Sequence, residues 1–154
     1  MEKYDLRKLV LFPILLLSFI GFLVVLFGKF AGFWLEGYYS GERYSCLFCE
    51  YGTFIDIASI VLILFSIIGQ VLIVLHEILP KPLIKFDLSP LGFLLAVGTV
   101  IFSVVGLVGF GIVYSGFEWW PEAGFYTGII TGVINGFLFA VKFVLKFIGA
   151  QKKN

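Results

Sequence analysis

Charge is what this chain of 154 residues has least of: 14% of its residues are Asp, Glu, Lys or Arg, while 60% are hydrophobic. A soluble domain carries about 25% charged and about 45–50% apolar residues. The mean hydropathy is +1.07, which argues against a water-soluble monomer. Intrinsic disorder, which needs few aromatics and much charge, is excluded. Histidine occurs once and cysteine twice, too few to build a metal centre. The net charge of +1 leaves no basic surface for nucleic acid. No glycine-rich stretch is followed by the Lys and Ser or Thr of a phosphate-binding loop. The residues call for no cofactor.

What the chain has instead is four runs without any Asp, Glu, Lys, Arg or His: Leu9–Phe27, Ile57–Leu75, Leu91–Val113 and Gly124–Val141. A helix needs roughly 20 apolar residues to cross about 30 Å of hydrocarbon. In lipid every backbone group must find its partner inside the segment, so such runs are expected to be helical. Four of them leave no polar layer that could cover them as soluble helices. The expected fold is therefore an all-α integral membrane protein. It is one domain over 1–154, a four-helix bundle with an outer loop at 28–56. The first run follows Lys3, Arg7 and Lys8, as a signal peptide would. It is longer than the usual apolar stretch of about 7–15 residues and no small-x-small site follows it, so it reads as a retained span.

Nine of the eleven basic residues fall at the N-terminus, between runs two and three, or at the C-terminus. The positive-inside rule places those segments, and both termini, in the cytoplasm. The two outer loops hold only Lys29 and Arg43 beside six acidic residues. Trp34, Trp119 and Trp120 all belong to the outer half, as aromatic residues of the headgroup layer do. They predict a small aromatic-rich outer cap. The expected location is the plasma membrane, in multi-pass form, with the lipid bilayer as the first partner. Glu118 and Glu122 flank Trp119-Trp120-Pro121 and read as a solvated outer rim. His76 falls on the other side of the membrane, so no Ser/His/Asp set can form with the outer loops.

The joints are marked by proline. Pro80-Lys81-Pro82 ends the second helix. The segment Leu83–Leu88 is expected at the inner interface. Ser89-Pro90 reads as an N-cap and first helical residue. Pro13 is expected in the first turns of its span. Glycines through loop 28–56 argue against one continuous helix there.

Gly124, Gly128, Gly132 and Gly136 recur every four residues, followed by Ala140. That spacing keeps them on one helical stripe. In lipid, helices associate by close packing, which small residues permit. The stripe predicts a helix seam, within the chain or between copies; Thr99, Ser103 and Gly106 offer a partner surface. Two amides lie deep in spans: Gln70 about 20 Å and Asn135 about 17 Å below the outer ends, at about 1.5 Å per residue. They are expected to meet across the core. No ionisable group lies deep in a span, which disfavours ion-coupled transport. Lys142 and Lys146 are expected to snorkel toward lipid phosphates.

Cys46-Leu47-Phe48-Cys49 is the chemically suggestive motif. It falls on the oxidising side, where a thiol pair is expected to be oxidised. It can serve redox exchange or simply brace the loop. With Glu50 and Tyr51 it resembles the pair of the DsbB family of quinone-linked thiol oxidases. Those are four-helix proteins with both termini inside and C-x-x-C in the first outer loop. The resemblance implies thiol–disulfide exchange through Cys46 and Cys49. The chain departs from that family at Ser115–Ala123, which lacks a second Cys pair, and at Thr53, where an Arg for the quinone is expected. Glu122-Ala-Gly124-Phe-Tyr126-Thr-Gly128 is similar to the opening of the fourth helix in claudin-type tetraspan proteins. These share a larger first outer loop with two Cys; the Trp-Gly-Leu-Trp signature is missing here.

The function expected from these residues is that of a non-catalytic tetraspan protein acting by helix packing. It would be self-associating or a small accessory subunit of a membrane complex. The alternatives are thiol–disulfide exchange through Cys46 and Cys49, and lipid or quinone binding under the aromatic cap.

Overall fold

The computed structural model describes residues 6–37, 40–78 and 86–151. The Pro80-Lys81-Pro82 stop, most of the Leu83–Leu88 segment and the lysines at 3, 81, 85, 152 and 153 lie outside them. The elements run α1 Leu6–Phe27, β1 Ala31–Leu35, β2 Gly41–Ser45, α2 Phe54–Ile78, α3 Ser89–Val113, β3 Trp119–Pro121 and α4 Ala123–Gln151. All four helices are long and apolar enough to cross a membrane.

Each helix begins at or before its charge-free run, and two also continue beyond it. At the start of α2 the charge is accommodated by the helix itself. Asp56 sits in the first turn of α2, where the helix dipole favours an anion. Thr53, just before α2, accepts from the Asp56 N–H at 3.3 Å, while its hydroxyl donates to the Asp56 carboxylate. This is a capping box with Asp in place of Glu. Pro13 lies inside α1, because that helix starts at Leu6. At the start of α3 the expected cap is displaced. Ser89 is itself helical, and its N–H donates to Asp87 Oδ1 at 3.0 Å. The Ser89 hydroxyl is engaged elsewhere, as described below.

α1 packs on α2 and α4, and α3 packs on α2 and α4. Two apolar clusters form between them. Val25, Phe30, Phe33, Ile60, Ile63, Ile67 and Phe110 pack toward the sheet end. Leu11, Ile14, Ile73, Val74 and Phe139 pack toward the opposite end. A layer of buried polar side chains separates the two.

The loop after α1 forms a hairpin. β1 pairs antiparallel with β2, in register Phe33↔Arg43, and with β3, in register Phe33↔Trp119, giving the order β2-β1-β3. Gly37, at φ +126°, supplies the turn conformation that an L side chain resists. Strand β3 belongs to the link between α3 and α4, so the sheet ties both links together. The Glu122 N–H donates to Phe30 O at 3.0 Å, and the Gly124 N–H to Lys29 O at 2.8 Å. The start of α4 is thereby fixed to the chain leaving α1.

Candidate functional site

The polar layer draws one side chain from each helix. Asn135 of α4 donates through Nδ2 to Gln70 Oε1 of α2 at 2.8 Å and to Ser18 Oγ of α1 at 2.8 Å. Gln70 Nε2 donates to Thr99 Oγ1 of α3 at 3.1 Å. Thr99 donates to Leu95 O, and Ser103 donates to Thr99 O, each one turn back along α3. Ser18, Gln70, Thr99 and Asn135 are all at 0% exposure. Asn135 Oδ1 is buried without a hydrogen-bond partner. Such a network fixes helix register, because any slip strands an amide in apolar surroundings. Ser18 and Thr99 were not singled out as partners of the amides from sequence. For Ser18 the signal was present: it is the sole polar side chain in the Leu9–Phe27 run.

The glycine stripe lies inside the molecule, chiefly against α3. A Cβ on Gly132 would stand 2.6 Å from Val100 Cγ2 and 2.8 Å from Ala96 O. A Cβ on Gly128 would collide with the Ser103 hydroxyl. Gly124 instead touches the Lys29 carbonyl, and Gly136 has ordinary room, its nearest contact being Ala96 Cβ at 3.6 Å. The stripe is therefore tight against α3 at Gly128 and Gly132, tight against the chain leaving α1 at Gly124, and loose only at Gly136. Of the expected partner surface, Ser103 meets it; Thr99 and Gly106 turn toward α2.

Glycine elsewhere makes notches for rings. Gly92 receives Phe139, Gly106 receives Phe30 with Ser59, Gly111 receives Trp119, and Gly32 receives Trp120. Each pair lets a large ring reach backbone, which raises the density of dispersion contacts. This accounts for part of the joint abundance of Phe and Gly.

At the sheet end the three tryptophans do not form one cluster. Trp34 and Trp120 lie on one sheet face and Trp119 on the other, because β1 pairs Gly32 with Trp120 and Phe33 with Trp119. Trp120 Nε1 donates to Glu122 Oε1 at 2.8 Å. The packed aromatic group is a different one. The Phe33 ring stacks on Tyr114 at 4.1 Å and meets Phe117 at 5.6 Å and Tyr51 and Phe110 at 6.1 Å. Tyr114 donates to Tyr51 O at 2.9 Å, and burial, with the Asp56 charge, raises its pKa. Tyr44 donates to the Glu42 carboxylate and is pushed up to about 12, chiefly by that bond.

Cys46 and Cys49 are joined as a disulfide, with Cα atoms 4.9 Å apart. It follows β2 directly, in a turn where the Cys49 N–H donates to Cys46 O at 3.2 Å. Both cysteines are half-buried, and Phe48 between them is 75% exposed. The preceding residue, Ser45, donates to the fully buried Asp56 carboxylate, which anchors the turn to α2.

At the opposite end Lys142 is 8% exposed. It forms an ion pair with Glu77 of α2 and donates to Ser89 Oγ of α3 at 2.8 Å. The expected snorkelling is thus replaced by a buried bridge across three helices. Lys146 pairs with Asp87 at 3.0 Å. Burial raises the Asp87 carboxyl, but the Ser89 hydrogen bonds and the Lys146 charge outweigh it and hold it below the ordinary carboxylate value.

No protein-family model, curated protein or solved structure matches this chain.

Proposed function

We propose that the chain is a four-helix integral membrane protein of the plasma membrane that works by association rather than catalysis. Both termini lie in the cytoplasm and the three-stranded sheet stands outside. It is a rigid platform, held in register from within, that presents the sheet to copies of itself or to a larger membrane complex. The observation that carries this reading is the Ser18–Asn135–Gln70–Thr99 network. It engages buried polar groups from all four helices as glue between helices. The basic residues gathered at the end away from the sheet support the orientation. The glycine seam is spent inside the molecule, so association falls to the sheet end or to the lipid-facing ridges.

The test is the mass of the particle released from native membranes by styrene–maleic acid copolymer. A particle holding several copies, or one copy with a stoichiometric partner, is expected. A lone chain that oxidises a dithiol substrate, with one disulfide transferred per Cys46–Cys49 pair, overturns the proposal.

That last outcome belongs to a second reading, favoured by the half-buried disulfide beside exposed Phe48. A substrate thiolate would attack one sulfur of the pair and the other would leave as thiolate. A second substrate thiol would then displace the mixed disulfide. The substrate gains a disulfide, the Cys46–Cys49 pair becomes a dithiol, and two electrons have moved. A Cys46→Ser, Cys49→Ser double variant that keeps full behaviour in the cell dismisses this reading.

A further inference from the structure

Strand β2 is an open edge of the sheet. β1 lies between β2 and β3, so among the described residues β2 pairs on one side only. The Trp34 N–H donates to Glu118 O at 2.8 Å, on the β3 side. Glu42, opposite Trp34, therefore turns its own backbone groups away from β1, and Tyr44 does the same two residues on. The Glu42 carbonyl carries the Arg43 guanidinium at 3.2 Å; no strand receives the Glu42 N–H or either Tyr44 group. The other edge is blunt: β3 is three residues long and ends in Pro121, which has no N–H.

β2 also leads straight into the disulfide. Ser45 is its last residue and Cys46 follows. The turn does not depend on the S–S bond to keep its place. Ser45 is tied to Asp56, the Cys49 N–H to Cys46 O, and Tyr51 O to the Tyr114 hydroxyl. A bridge over so short a loop contributes little stabilisation of its own.

We infer that an extended, cysteine-bearing segment of a partner polypeptide adds to β2 as a fourth strand and is linked to Cys46. It rests on the association reading above, to whose partner it gives a chemistry. The complement of a row of backbone donors and acceptors is another extended backbone, and the nucleophile that opens a disulfide is a thiolate. The segment's thiolate attacks Cys46 Sγ. The Cys46–Cys49 bond breaks, a bond from Cys46 Sγ to the partner's sulfur forms, and Cys49 Sγ leaves as thiolate. One thiolate is consumed and one released, so no oxidant is needed. Strand pairing holds the thiol at the pair and favours the link. In an antiparallel partner the cysteine falls opposite Cys46, a cation opposite Glu42 and an acid opposite Arg43. A second copy of the chain offers no thiol, because both of its cysteines are in the pair. Two-fold pairing of β2 centred on Glu42 or Arg43 would also set like charges opposite each other.

The experiment exposes the full chain in nanodiscs to acetyl-Cys-Thr-Val-Glu-Lys-Val-amide and quenches at intervals with N-ethylmaleimide, which caps the released thiol. Intact mass counts the chains that carry one peptide and one maleimide. The controls are glutathione and the same peptide N-methylated at its third and fifth residues, which fall opposite Tyr44 and Glu42. The unmodified peptide is expected to form its adduct about tenfold faster than either control, the weight of two hydrogen bonds. A rate no greater than that of either control, or no adduct, overturns the inference. A disulfide-linked dimer of the chain assigns the edge to a second copy and overturns it too. The particle released from native membranes separates the two levels. A stoichiometric partner in that particle, with the two peptides reacting alike, removes this inference alone; a lone chain there removes the association reading as well.

Discussion

Asn135 Nδ2 stands 2.8 Å from Gln70 Oε1, joining α4 to α2 although 65 residues separate them in sequence. Interhelical hydrogen bonds in lipid are worth about 0.6–2 kcal/mol. A double-mutant cycle with Gln70→Leu and Asn135→Leu, read by unfolding in mixed micelles, is expected to give a coupling in that range. The single Asn135→Leu change should cost more than its share, since it releases both Gln70 and Ser18. A coupling of zero would show that the two amides act independently.

Four residues separate two glycines whose substitution should have opposite outcomes. Gly132→Ala puts a methyl 2.8 Å from the Ala96 carbonyl, which is backbone and cannot rotate away. Overpacking of this kind costs about 1–3 kcal/mol. Gly136→Ala meets nothing closer than 3.6 Å, and Ala favours helix over Gly by up to about 1 kcal/mol. Melting curves of the two variants are expected to shift down and to stay level or rise, respectively.

The Lys142–Glu77 pair is costly to halve. Lys142→Met leaves Glu77 beside apolar helix with its cation gone, and breaking a buried pair this way costs about 3–5 kcal/mol. The combined Lys142→Met, Glu77→Leu variant is expected to recover most of that loss, because no uncompensated charge remains. A double variant no more stable than the single one would mean that the bond to Ser89 matters more than the ion pair.

Acid should weaken the end away from the sheet first. Asp87 has a folded pKa held below its unfolded value. The folded state therefore gains from the ionised form above the ordinary carboxylate pKa of about 3.9. That contribution is lost as pH falls through the lower, folded value. The melting temperature is expected to stay flat from neutral pH to about 5 and then decline. In Asp87→Asn the decline should be shallower and should start from a lower plateau.

Much of the helical layout was legible without coordinates, because a charge-free run is a direct statement about solvent. The boundaries were less so. Counting to the first charge stops at Ile57 and Val141, yet Asp56 belongs to α2 as a capping residue and Lys142 is buried within α4. A charge ends a run in sequence but not a helix when a partner from another element neutralises it. The strands were missed altogether. β1, β2 and β3 are five residues or fewer, and β3 pairs with a strand more than 80 residues away. No local pattern announces such pairing. Ser-Pro reads as a cap and first helical residue, but the N-cap position falls on Leu88, which makes no side-chain cap bond; Asp87 accepts from the Ser89 N–H, and the serine hydroxyl is claimed by a lysine more than 50 residues on.

By itself, the sequence determined the solvent each segment prefers, because hydropathy and charge act residue by residue. It thereby determined four apolar helices and the positions of their polar exceptions. Only the tertiary structure decided which faces meet: that the glycine stripe is spent against α3, that Phe33 rather than a tryptophan gathers the aromatic rings, and that two lysines expected in the headgroups are paired with carboxylates. Those outcomes depend on distances between residues far apart in the chain, and such distances exist only once the helices have packed.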